Sequence, residues 1–302
     1  MADEQTRRRR SPLRALIKTV RPQQWVKNLF VAAPLVFARH LTDSAYLVRT
    51  AIAVIAFCLL SGAVYAFNDV RDVKGDREHP TKRYRPIAAR ELSERAALIA
   101  AAVLAVGSLA AMFALSPLAG VYATAYLVQN VAYSIKLKQI AFVDVGLIAS
   151  GFLLRVLGGA AAIDVPPSEW LLLCTALLAT FLGLGKRAHE LAWASRAGTV
   201  ATTRAALAGY KIEVVRIAMF VLGAATVAAY AMYTVDSHTK SFFGNKELVY
   251  STPFVALGIV RFLFLALWYP KDESPTEAML RDPYFLAILA AATATVLYII
   301  YG

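Results

Sequence analysis

Only 2 of the 302 residues are cysteine, only 4 are histidine, and only 17% carry charge. Two cysteines cannot staple a disulfide scaffold, and 16 glycines and 12 prolines spread through the chain exclude collagen and low-complexity disorder. Both thiols, Cys58 and Cys174, lie in apolar runs, where cysteine packs as a small hydrophobe. The shortage of charge excludes an ordinary soluble protein of this size, since 59% of residues are hydrophobic and mean hydropathy is +0.55. Acidic residues are the scarcer sign, 20 against 32 Lys and Arg, which leaves a net charge of +12. An excess of that size points to anionic lipid, a phosphorylated substrate or nucleic acid.

What is abundant is apolar sequence. A bilayer core needs roughly 20 mostly apolar helical residues, and nine segments approach that length: 25–40, 47–67, 95–115, 118–133, 142–163, 169–185, 214–235, 253–269 and 283–301. The first is short, contains Pro34 and follows charges, so eight spans also fit. With the N-terminus inside, 26 of the 32 cations fall on the cytoplasmic side. Arg39, Arg49, Lys240 and Lys246 fall outside, and Arg155 and Arg261 lie within spans. Cations that alternate with spans make nucleic-acid binding the weakest reading.

The expected architecture is all-α and polytopic. A basic tail or interfacial helix covers 1–24, and a single transmembrane domain of nine helices covers 25–302. The basic block at 7–10 is followed by polar residues where a signal peptide has its apolar core, so no cleaved signal is expected. In the stretch 11–27, Arg14, Lys18 and Arg21 stand near helical spacing with Leu13, Leu16, Ile17 and Val20 between them. That pattern suits a helix on the membrane surface, and equally a positive-inside anchor.

The most informative stretch closes the second span: Asn68-Asp69-Val70-Arg71-Asp72-Val73-Lys74-Gly75-Asp76. If the helix continues, Asn68, Asp72 and Asp76 repeat every four residues and Asp69 joins them, so one face carries three carboxylates and an amide. Hard oxygen donors of this kind suit Mg2+ bridged to substrate phosphates. The competing reading is a solvated acidic helix end balanced by Arg71, Lys74 and Arg77. The next segment, His79-Pro80-Thr81-Lys82-Arg83-Tyr84-Arg85-Pro86, favours the metal, because a Mg2+-diphosphate needs fixed cations as well as carboxylates. His79 alone is a weak signal and is read as structural. Arg155 inside a span defaults to a functional hypothesis, with a pair to Asp144, three turns away, as the alternative. Arg261 reads as a structural pair or a snorkelling side chain.

Asn-Asp-x-x-Asp-x-x-x-Asp followed by His-Pro-x-Lys-x-x-Arg-Pro, on a chain of about nine spans, resembles the UbiA superfamily of intramembrane prenyltransferases over nearly the whole length. Arg21-Pro22-Gln23-Gln24-Trp25-Val26-Lys27-Asn28, Tyr133-Ser134-x-x-Leu137-Lys138 and Leu184-Gly185-Lys186-Arg187-x-x-Glu190 resemble its decaprenyl-phosphate phosphoribosyltransferase branch. Typical members carry a second Asp-rich motif after the sixth span, where this chain has Lys186, Arg187 and Glu190. The resemblance implies a nine-helix bundle with a cytoplasmic-side cavity in the inner (plasma) membrane. It implies transfer of 5-phosphoribose from phosphoribosyl pyrophosphate (PRPP) to decaprenyl phosphate with Mg2+, making a precursor of cell-wall arabinan. On that reading Asn68, Asp72 and Asp76 hold the metal with Asp69 in support, and Lys82, Arg83 and Arg85 grip the diphosphate. Lys27, Asn28, Tyr133, Lys136, Arg155, Lys186, Arg187 and Glu190 then complete the substrate contacts. Two rivals stay open: prenyl transfer from a prenyl diphosphate to an aromatic acceptor, and a transporter. A homo-oligomer is also compatible, because small residues such as Gly158-Gly159 suit contacts within or between subunits.

Overall fold

The computed structural model describes residues 11–196, 205–244, 247–268 and 275–301. The basic block at 7–10, Lys246 and residues 197–204 and 269–274 lie outside them. Every described element is helical. Among the described residues, seven helices are long and apolar enough to cross a membrane: Ser44–Arg71, Glu94–Leu115, Val143–Ala162, Glu169–Ala192, Ile212–Val235, Leu248–Leu267 and Pro283–Tyr301. The two other expected spans differ for local reasons. Pro117–Ile135 is a helix of 19 residues diluted by Gln129 and Asn130. The segment expected at 25–40 is an 11-residue 3-10 helix, Pro22–Ala32, followed by the short α-helix Ala33–Phe37.

The chain forms two compact units, Met1–Ile135 with Leu154–Pro166, and Lys136–Leu153 with Pro167–Gly302. In the first, Val31, Phe57, Leu60, Met112 and Tyr126 form the main core. Local chemistry sets its helix starts: Ser11 accepts from Arg14 N ahead of Pro12, Asp43 from Ala45 N, and Ser93 from Ala96 N. The 3-10 segment puts residues three apart on one side, so Asn28 and Val31 are buried together while Lys27 reaches back to Gln24 at 2.7 Å. Gly159 permits this approach, since a Cβ there would stand 1.9 Å from the Val31 carbonyl oxygen. Ile99, Val103 and Val106 make an exposed stripe on Glu94–Leu115, as a lipid-facing helix requires.

In the second unit, Phe181, Leu184, Met219, Ile259, Phe262 and Leu263 pack into one core. Its described helices include Glu169–Arg196, Ile212–Val235, Thr252–Leu267 and Pro283–Tyr301. Asp282 accepts from Phe285 N at 2.7 Å at the start of the last helix and takes both Arg261 Nε and Nη2, at 3.0 and 2.6 Å. Arg261 is thus a structural ion pair, one of its two expected readings. The carboxyl of Asp282 is held below the usual carboxylate range chiefly by that guanidinium.

Candidate active site

The Ser44–Arg71 helix ends at Arg71, and a short helix, Val73–Glu78, follows a single bent residue, Asp72. The hydrogen bonds Asp72 N to Asn68 O and Asp76 N to Asp72 O, both 2.9 Å, carry the helical register through the bend. The four polar side chains divide into two pairs instead of forming one face. Asn68 Nδ2 donates to Asp72 Oδ2 at 3.1 Å. Asp69 and Asp76, seven residues and nearly two whole turns apart, share Arg85, whose Nη1 lies 3.0 Å from Asp69 Oδ1 and 2.7 Å from Asp76 Oδ2.

Asp69 also receives Arg21 Nη2 at 2.5 Å, and the Arg21 guanidinium stands 5.1 Å from the Tyr65 ring centroid. Two guanidiniums therefore balance two buried carboxylates. Burial nonetheless holds the Asp76 carboxyl above the usual carboxylate range, with Arg85 pulling against it. Asn68 and Asp72 are the partly exposed pair, and between them they carry the amide and carboxylate oxygens that a hard cation binds. Among the described residues no group of three or more His, Cys, Asp or Glu could hold a metal. Two hard oxygen donors fit Mg2+, which usually takes one or two protein carboxylates and fills its shell from phosphate and water.

The basic loop is built around His79. Its Nδ1 accepts from the backbone N of Thr81 and Lys82, both at 3.3 Å, and so shapes the Lys82–Tyr84 turn. Burial, then Lys82, lowers its pKa, which favours the neutral ring that such acceptance needs. Lys82 and Arg83 are exposed, Arg83 donating to Tyr84 Oη at 2.8 Å, while Arg85 turns inward to the acids. Ile87 and Leu92 anchor the loop in a small core with Ala15, Val73 and Ala97.

A second polar cluster of the first unit lies among the spans. Arg155, 6% exposed, donates from Nε to Asn28 Oδ1 at 2.7 Å and from Nη2 to Tyr126 Oη at 2.8 Å. Asn28 in turn donates to Ser61 Oγ at 3.1 Å. Two expected binding residues 127 positions apart thus meet directly. Tyr133 is half-buried near the end of Pro117–Ile135.

In the second unit Arg187 is fully buried. It pairs through Nε with Asp144 Oδ2 at 2.8 Å and through Nη1 with Glu190. Tyr210 Oη donates to Asp144 Oδ1 at 2.5 Å and accepts from Phe142 N at 2.7 Å. Burial and that carboxylate push the phenol up, so it stays protonated. The alternative partner foreseen for Arg155, Asp144, is engaged here by Arg187 and Tyr210 instead. Lys186 is partly exposed, one residue before the buried Arg187, and Lys136 is exposed. Sequence reasoning left Arg21, Tyr126 and Tyr210 out of the site. Arg21 stood in a quoted motif, whereas one tyrosine among 14 carries no local signal.

Residues 29–191 match the model of the UbiA prenyltransferase family. A decaprenyl-phosphate phosphoribosyltransferase of Mycolicibacterium smegmatis is 33% identical over 296 residues, covering 95% of this chain and 92% of that protein. One of Mycobacterium tuberculosis is 35% identical over 293 residues, covering 93% and 92%. Among solved structures, a UbiA homolog from Archaeoglobus fulgidus bound to GPP and Mg2+ superimposes with a TM-score of 0.70 at 17% identity, over 95% of this chain and 100% of that one. The same homolog bound to Cd2+ gives 0.67 at 16% identity, over 95% and 100%. Apolar helices, motif and fold agree: this chain is a multi-pass membrane protein that belongs to the UbiA prenyltransferase family.

Proposed function

We propose that the protein transfers the 5-phosphoribosyl group of PRPP to the phosphate of decaprenyl phosphate, releasing diphosphate, at the cytoplasmic face of the plasma membrane. The observation that carries this reading is identity of 33% and 35% along 95% and 93% of the chain to relatives named for that reaction. The position after the sixth expected span supports it. Lys186 is the partly exposed cation where typical members carry a second acidic motif, which suits an extra phosphate better than an aromatic acceptor.

The acceptor phosphate is already an anion, so no nucleophilic side chain and no strong base is needed. The bond from ribose C1 to diphosphate breaks as the lipid phosphate oxygen bonds to C1 from the opposite side, and diphosphate leaves with the electron pair. Charge develops on the ring as in other glycosyl transfers. Bound Mg2+ would act as a Lewis acid on the departing diphosphate. Asn68 and Asp72 would hold the metal, sharing it with substrate oxygens. Asp69 and Asp76 would fix Arg85 beside Lys82 and Arg83 for the diphosphate. Asp76 thus becomes a support for Arg85 in place of the third metal donor expected from sequence.

Lys27, Arg155, Tyr133, Lys136 and Lys186 are assigned to the 5-phosphate and the lipid phosphate, and the fully buried Asn28, which sequence grouped with them, becomes the side chain that holds Arg155. Arg187, which sequence grouped with the phosphate-gripping cations, is spent on two carboxylates, and its role becomes holding Glu190 for a ribose hydroxyl. The test uses purified protein with labelled PRPP, polyprenyl phosphate and Mg2+. Diphosphate release only when all three are present, with loss of about a hundredfold or more in Asp72→Ala, is the expected result. Turnover of labelled prenyl diphosphate with an aromatic acceptor, or full activity of Asp72→Ala, would overturn the assignment.

A further inference from the structure

The helix Pro12–Val20 presents three different faces. Ala15 and Thr19, one turn apart, are buried, Ala15 against Val73, Ile87, Leu92 and Ala97. Round the helix from them, Leu13 and Ile17 are 66% and 51% exposed although apolar. Beyond these lie Arg14 and Lys18, both exposed and again four apart. The sequence Pro-Leu-Arg-Ala-Leu-Ile-Lys-Thr-Val contains no acid. A helix washed by water has no use for an exposed Leu/Ile stripe, whereas one in the headgroup layer needs that stripe with flanking cations. The next segment repeats the pattern: Val26 and Leu29, three apart on a 3-10 helix, are 37% and 60% exposed.

This helix is also tied to the candidate active site at two points. Lys18 Nζ donates to the Tyr84 carbonyl at 3.1 Å, within the basic turn. Arg21, which ends the helix in a left-handed conformation at φ 54°, holds Asp69. A left-handed backbone is uncommon for a residue with a side chain and persists only where the surroundings hold it.

We propose that Pro12–Val20 is a docking surface for the anionic headgroup layer of the bilayer. Leu13 and Ile17 enter the acyl boundary and Arg14 and Lys18 meet headgroup phosphates. Seated there, the helix fixes Lys18 and Arg21 against the Lys82–Tyr84 turn and Asp69, so lipid charge tunes donor binding at the site proposed above. That last step rests on the phosphoribosyl-transfer reading, but the lipid contact does not.

The experiment has two arms, both on the full chain in nanodiscs of phosphatidylcholine with or without phosphatidylglycerol. In the first, Cys58 and Cys174 are replaced by Ala, and an environment-sensitive fluorophore is placed at Leu13→Cys, Ile17→Cys or Arg14→Cys. Brominated lipid should quench positions 13 and 17 strongly and position 14 weakly, with phosphatidylglycerol deepening the quenching. Equal quenching at all three positions, or no effect of phosphatidylglycerol, overturns the surface whatever the protein catalyses. In the second, phosphatidylglycerol should lower KM for PRPP in the wild type with kcat nearly constant, and Arg14→Glu should raise KM about fivefold in anionic discs only. A lipid-independent KM in the wild type overturns the coupling to the site.

Discussion

Replacing Asp144 by Asn tests a charge pair whose two side chains are both fully buried. The change keeps the shape of the side chain and removes its charge, leaving the fully buried Arg187 with Glu190, itself 28% exposed. Removing one partner of a buried ion pair costs about 3–5 kcal/mol, because the remaining charge stays desolvated. At about 2 °C per kcal/mol for a chain of this size, Asp144→Asn should melt about 6–10 °C below wild type by fluorescence-monitored unfolding in detergent. Tyr210→Phe deletes one hydroxyl that both donates to Asp144 and accepts from Phe142 N. It should cost about 1–3 kcal/mol. The double variant should fall short of the sum, since both changes act on one hydrogen bond. Asp144→Leu with Arg187→Met, which removes both charges, should be less destabilised than Asp144→Asn. A melting temperature for Asp144→Asn within about 2 °C of wild type, or a worse result for the apolar double variant, would refute the reasoning.

Gly159→Ala places a methyl where the Val31 carbonyl already stands, and should cost about 1–3 kcal/mol in the same melting assay. Chelation by EDTA should abolish turnover, and added Mg2+ should restore it. The melting temperature should hardly move, because Arg21 and Arg85 already balance Asp69 and Asp76 without metal. The depressed Asp282 carboxyl contributes stability that is complete above the ordinary carboxylate range and disappears as pH falls through its folded pKa. Asp282→Asn should flatten that acid limb by up to about 1 kcal/mol, discounted because the partner Arg261 is partly exposed.

Much of the fold was legible because a membrane span is written locally, as a run of apolar residues between polar ends. The two expected spans that changed show the limit of that code. In Pro117–Ile135 a helix forms, but Gln129 and Asn130 lower its apolarity. In Pro22–Ala32 the chain tightens into a 3-10 helix packed on Gly159, a contact no window of sequence contains. The acidic motif was legible from its spacing. Its division into Asn68 with Asp72 and Asp69 with Asp76 was not, since that follows from where Arg21 and Arg85 arrive.

The sequence by itself determined the class of molecule, the apolar spans and the acidic and basic motifs, because hydropathy and helical spacing act over a few turns. Only the tertiary structure decided which charges remain available. It placed Arg187 between Asp144 and Glu190, Arg155 on Asn28 and Tyr126, and Arg21 and Arg85 on Asp69. A guanidinium has no pattern in sequence that names its partner. The partner is fixed by which carboxylate or amide is brought within hydrogen-bond reach once burial has removed water as the alternative.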